Sequence, residues 1–136
     1  MTNDQWQMSN KYPMPNGQSG RFDIYERCLG FAVKISAFVD KLPKRFSSIE
    51  YGKQLLRSSA SIGANMQEAD GALTKKDFIN KVGIARREAK ETNYWLQLLK
   101  YSKLADNTNI DYLLQESKEI KLILSSIINN TRRNMK

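Results

Sequence analysis

The chain has no histidine and a single cysteine, Cys28, so little side-chain chemistry is open to it. Serine–histidine and cysteine–histidine nucleophiles are excluded, because neither can be activated without the imidazole. A histidine or cysteine zinc shell is excluded too, since one thiol cannot complete it. Cys28 stands in an apolar run beside Leu29 and Phe31 and reads as a packed core thiol. Carboxylates remain. Glu68 and Glu91 sit near the polar parts of two helical stripes, but nothing resembles an acid–base partner for either. The expectation is therefore a protein with no enzymatic activity, no metal and no cofactor.

Cations are the commoner chemistry. Lys and Arg number 22 against 14 Asp and Glu, a formal charge of +8 with a sequence pI near 9.6. Such an excess favours polyanion partners. Lys76, Arg87 and Lys90 fall with Gly83, Tyr94 and Tyr101 on one helical stripe. Arg27, Lys34 and Lys41 form a second row at seven-residue spacing. Cations interleaved with aromatic rings suit RNA or DNA: charges neutralise phosphates and rings stack on unpaired bases. A solvated helix face gives the same pattern, so each row alone is a weak signal. These six cations are the expected phosphate contacts, without sequence reading.

A third constellation is polar and small. Around Arg57 to Glu68, Leu55, Ser59, Ile62, Met66 and Ala69 make one stripe, and Arg57, Ser61, Asn65 and Glu68 make the opposite one. Further on, Ile84, Glu88, Glu91, Trp95 and Leu98 share a stripe distinct from the core seam. A carboxylate among apolar neighbours needs a partner. Arg57 is the expected one, with Ser61 and Asn65 as further donors. Arg57, Ser61, Asn65, Glu68, Glu91 and Trp95 are thus assigned to packing or assembly. A second apolar face on one helix also points to self-association, unless a wide core covers it.

The elements that position these residues are four helices. Asp23 to Leu42 carries a broad apolar stripe and stops before Pro43. Ser47-Ser48-Ile49-Glu50 reads as a capping box opening a second helix, which ends near Gly71. Thr74 opens a third from Lys75 to about Lys103, with Phe78, Val82, Ala85, Ala89, Thr92, Leu96 and Leu99 at near-heptad spacing. Asn107-Thr108-Asn109 reads as a turn before a fourth helix with Leu113, Ser117, Ile120, Leu124, Ile127 and Thr131. The fold class is all-α: an antiparallel up-down four-helix bundle over residues 21–136. Residues 1–20, with their prolines, glycines and polar side chains, read as a flexible leader. No apolar run approaches the roughly 20 residues that span a bilayer, and no export signal is visible, so no membrane association is expected and the cytoplasm is the default.

Gln54-Leu55-Leu56-Arg57 and Ser61-Ile62-Gly63-Ala64-Asn65-Met66-Gln67-Glu68-Ala69, preceded by Tyr51-Gly52, resemble the signature helix of a bacterial four-helix-bundle family. Asp77-Phe78-Ile79, Ile84-Ala85 and Glu91-Thr92-Asn93-Tyr94-Trp95-Leu96 are similar to its third-helix motifs, in order. The likeness covers about Phe22 to Asn130. The family includes proteins encoded in intervening sequences of 23S ribosomal RNA genes and the accessory variability proteins of diversity-generating retroelements. The resemblance implies a cytoplasmic, non-enzymatic homopentamer. In the retroelement branch it implies nucleic-acid affinity beside a reverse transcriptase. The other reading is a protein-interaction scaffold encoded in a ribosomal RNA intervening sequence, with no direct nucleic-acid role.

Overall fold

The computed structural model describes residues 23–105 and 107–135, with backbone only at 107 and 108; the leader expected over 1–20 lies outside them. Four helices follow in order: α1 Ile24–Asp40, α2 Phe46–Asp70, α3 Lys75–Tyr101 and α4 Asn107–Arg133. Each packs on its neighbours in sequence, α4 returns to α1, and the diagonal pairs make no backbone contact. Cross-helix partners give the directions. Gly52 faces Val39 while Gly63 faces Cys28. Ser58 meets Thr92, and on α3–α4 Asn93 meets Ser117 while Arg86 meets Ser125. Residue numbers rise on one helix as they fall on the next, so the bundle is antiparallel and up-down throughout.

The core follows the predicted stripes. Cys28, Ile35, Leu55, Ile62, Met66, Phe78, Val82, Leu96, Leu99, Ile120, Leu124 and Ile127 are all sealed from water. Each large apolar side chain so buried contributes about 1.5–3 kcal/mol. Small residues set how closely the helices approach. Ser59, Ala85 and Ala89 are buried on the facing seams. At Gly52 a Cβ would stand 3.1 Å from Val39 Cγ1, so α1 rests almost on the α2 backbone there. Thr92 and Ser58 share a buried hydroxyl hydrogen bond of 2.9 Å across α2 and α3. That pairing offsets the cost of two polar groups in the seam.

Helix ends agree with the sequence in part. Asp23 caps α1 by accepting from Tyr25 N–H at 2.8 Å, and Thr74 caps α3 by accepting from Asp77 N–H at 3.0 Å. The capping box at Ser47-Ser48-Ile49-Glu50 does not form. Helix α2 already begins at Phe46, with Arg45 in the cap position and no side-chain cap bond. Ser48 falls inside the first turn, buried, and its hydroxyl has no partner among the described residues. The expected turn at Asn107-Thr108-Asn109 is instead the first turn of α4. The α3–α4 reversal lies earlier, from 102 on, where Lys103 takes the left-handed conformation (φ 58°). Leu104 N–H then reaches Leu99 C=O and Lys103 N–H reaches Lys100 C=O, both at 3.0 Å. This is a Schellman end with the buried Leu104 as its apolar plug.

With 17 residues, α1 is much shorter than the 25 to 27 of the others. It pairs with only the first half of α4, and the α1–α4 edge is the least extensive in the bundle. Among the described residues, no helix is long and apolar enough to cross a membrane.

Candidate nucleic-acid interface

The α3 row is presented as one exposed face. Lys76, Arg87, Lys90, Tyr94 and Tyr101 all lie open to solvent. None of the three cations pairs with a carboxylate among the described residues. Lys76 to Lys90 spans about 21 Å along the axis. Helix α4 extends this face. Leu114 and Ser125 touch α3 through Asn93 and Arg86. The α4 residues near the same helical phase include Lys118, Lys121 and Arg132, with Asp111, which is paired with Lys100 of α3 at 2.7 Å. The outer α3–α4 surface is thus a basic band with two tyrosines. Sequence periodicity found the α3 half only. The α4 half needs the register between the helices, which no pattern within one helix contains.

The α1 row is split by the fold. Arg27 is withdrawn from the expected phosphate contacts. Its guanidinium is 9% exposed and clamped by α4: Nε and Nη2 donate to both oxygens of Glu116, at 2.8 and 2.7 Å, and Nη2 also donates to Glu119 at 2.7 Å. The Glu116 hydrogen bond raises the Arg27 pKa above its ordinary value despite burial. The hydrogen bond from Arg27 to Glu119 holds the Glu119 carboxyl below its usual range, with Gln115 assisting. A cation so neutralised has no charge left for a phosphate. Lys34 and Lys41 remain exposed. Both border a cleft of about 620 Å³ where the end of α1 meets the α3–α4 reversal. Lys34 Nζ donates to Tyr112 Oη at 2.6 Å and lies 4.9 Å from that ring's centroid.

The α2–α3 polar edge forms around Arg57, as expected, but with different companions. Arg57 pairs with Glu91 through Nη2 and with Glu88 at 3.4 Å. Ser61 and Asn65 do not join them. Asn65 Nδ2 turns back along α2 to Ser61 C=O at 2.9 Å and Ser61 Oγ at 3.2 Å. The second donor to Glu91 is Trp95, whose Nε1–H reaches it at 3.2 Å from the next turn of α3. Trp95 also stacks on Tyr51, with centroids 6.1 Å apart, and meets Tyr94 edge-on at 5.3 Å. Glu68 stands about 16 Å along α2 from Arg57 and takes no part in this cluster. Ile84, Glu88, Glu91, Trp95 and Leu98 are all half-buried, so α2 covers part of the second α3 stripe. The large apolar side chains left in water lie elsewhere. Leu29 and Val33 on α1, with Ile49 and Leu56 on α2, flank the α1–α2 seam.

Among the described residues no three carboxylates or thiols converge as a metal site. Cys28 is sealed, and burial pushes its thiol up to about 12.

The sequence profile of the 23S rRNA-intervening sequence proteins matches residues 20–126. The chain belongs to that family. A crystal structure of a family relative supports the assignment: a protein of unknown function from the S23 ribosomal protein family of Bacteroides thetaiotaomicron. It is 40% identical, covers 78% of this chain and 95% of its own, and superposes with a TM-score of 0.73. No curated protein matches the chain. The 23S rRNA-intervening sequence proteins thus provide the fold, while the basic band and the α2–α3 cluster are read from this chain's own residues.

Proposed function

We propose that this member of the family is a non-enzymatic, self-assembling protein that binds RNA or DNA through the phosphate backbone. The observation that carries the reading is the cation-rich outer face of α3 and α4, where Asp111 of α4 is already paired with Lys100 of α3. Lys76, Arg87 and Lys90 stand without a carboxylate partner there among the described residues, with Tyr94 and Tyr101 beyond them. Such cations spread over about 21 Å can displace counterions from several consecutive phosphates. Lys34 and Lys41 add to the field from the far end of the bundle.

Self-association is supported by the exposed apolar side chains Leu29, Val33, Ile49 and Leu56, which flank one helix seam. The assembly proposed is a homopentamer, in which each copy repeats the basic band. Light scattering should give a mass near five times that of the 15.7 kDa chain; a 15.7 kDa particle overturns the assembly. In its most specific form the proposal makes the protein an accessory of a reverse transcriptase, as in the retroelement branch. A reverse-transcriptase gene beside a repeat pair would support that form; a host 23S ribosomal RNA gene split by this reading frame would reject it.

The binding reading is tested by filter titration of a single strand across salt. Replacing Lys76, Arg87 and Lys90 by Gln should flatten the log–log salt slope by about 2. Binding indifferent to salt, or an unchanged slope in the triple variant, rejects the electrostatic mechanism. A scaffold role would show as the opposite pattern: reversing these charges loses a protein partner in nuclease-treated extract.

A further inference from the structure

The cleft at the α1 terminus is unlike the rest of the basic surface. Its floor is apolar, made by Phe38, Leu42, Leu104 and Leu113. Its rim carries Lys34 and Lys41 from α1 and its C-cap and Lys103 from the α3–α4 reversal, with Tyr112 beside them and no carboxylate among its described lining residues. A volume of about 620 Å³ is in the range of small-molecule sites. Two details show that the cations are placed there. Lys34 is held over Tyr112 by its hydroxyl hydrogen bond and the ring face. Lys103 occupies the left-handed position of the α3 end, where glycine would fit without strain. The α4 N-terminus opens beside it, adding the positive end of a helix dipole.

An apolar floor under a ring of ammonium groups selects an anion with a flat or apolar body. An acyl chain is the poorer fit, because the cleft is only partly enclosed and would leave part of its length wet. A nucleobase has polar edges that tolerate that opening, and its faces match Phe38 and the half-exposed Tyr112. The position agrees. The α3 row runs from Lys76 through Arg87, Lys90 and Tyr94 to Tyr101, and Lys103 follows two residues later. A strand laid along the basic band arrives at the cleft with its end.

We infer that this cleft binds a terminal nucleotide, its base on the Phe38–Leu113 floor and its 5′-phosphate among Lys34, Lys41 and Lys103. The inference rests on the nucleic-acid reading for the strand, while the cleft itself also takes a free nucleoside monophosphate. The experiment compares two 12-nucleotide single strands, labelled at the 3′ end and differing only in a 5′-phosphate or 5′-hydroxyl. Anisotropy titrations use the full chain and two variants: Lys34→Gln with Lys103→Gln in the cleft, and Arg87→Gln with Lys90→Gln on the band. The phosphorylated strand should bind about tenfold more tightly, the effect of two well-placed charge contacts. The cleft variant should lose that preference, so that the phosphorylated and hydroxyl strands bind alike. The band variant should weaken both strands equally and keep the preference. Equal binding of the two ends, or a preference that survives the cleft variant, overturns the inference.

If neither strand binds, the backbone-binding reading fails on its own and the cleft is judged with adenosine monophosphate alone. Chemical-shift changes around Tyr112 and Phe38 that vanish in the cleft variant support it. Their absence at millimolar nucleotide, or displacement by decanoate with no effect of the nucleotide, overturns it.

Discussion

Replacing Arg27 by alanine should unfold the protein more easily while leaving its salt-dependent nucleic-acid affinity alone. The side chain is 9% exposed and holds Glu116 at 14% and Glu119 at 25% exposure. Its loss strands two acids one turn apart on α4. Breaking a fully buried pair costs about 3–5 kcal/mol. These acids keep some water, so a discounted cost of about 2–4 kcal/mol is expected. In urea that lowers the unfolding midpoint by about 1–2 M, measured at fixed protein concentration because assembly contributes to stability. Replacing all three residues by uncharged side chains of similar size should restore most of the loss, since no lone charge remains. The pH dependence has a definite sign. Glu119 has a lowered folded pKa, so its stabilisation is complete above the unfolded value of about 4.3 and is lost as pH falls through the folded one. Wild type should therefore lose stability below about pH 4 more steeply than the uncharged triple variant. The reasoning is refuted if Arg27→Ala shifts stability by less than about 0.5 kcal/mol. It is equally refuted if the variant reduces the salt slope by about 0.7, the share of one phosphate contact.

Other substitutions probe the backbone and core. Gly83→Ala should stabilise by about 0.5–1 kcal/mol, because its Cβ meets nothing within 4 Å. Gly52→Ala should gain less or lose, since its Cβ would stand 3.1 Å from Val39 Cγ1; equal shifts in the two melting curves would contradict the close approach of α1 and α2. Lys103→Gly should stabilise by about 1 kcal/mol by relieving the left-handed residue, and should reduce the 5′-phosphate preference at the same time. Cys28 should resist a thiol reagent at pH 8 until denaturant is added; prompt labelling of the native protein would show that the α1 core opens.

Much of the fold was legible because its determinants are local. The apolar stripes of α1 to α4 recur within single helices, so period alone identified Cys28, Leu55, Val82 and Ile120 as core. Thr74 was legible as a cap because donor and acceptor lie three residues apart. The capping signal at Ser47-Ser48-Ile49-Glu50 failed: α2 starts at Phe46 instead, in a stretch where Gly52 packs tightly on Val39 and Ser48 is buried. The Arg57–Glu91 pair was anticipated from chemistry, since a carboxylate in an apolar stripe needs a cation. Its other donor, Trp95, read only as an apolar neighbour, because orientation at one turn's spacing is not written in residue type.

Sequence by itself determined that this is a basic helical protein with four amphipathic rods, a sealed thiol and cations on the faces turned from the core. Those properties belong to composition and to a 3.6-residue period, and both are carried by the chain before any helix meets another. Tertiary structure alone decided which cations stay free. Arg27 and Lys34 share one phase of α1, yet Arg27 falls opposite Glu116 and Glu119, and Lys34 falls opposite Tyr112. The difference is the antiparallel register of α4 against α1, a relation between residues about 80 to 90 positions apart. The cleft has the same origin: α1 stops at Asp40 beside the reversal at Lys103, so Lys34, Lys41 and Lys103 meet around one opening.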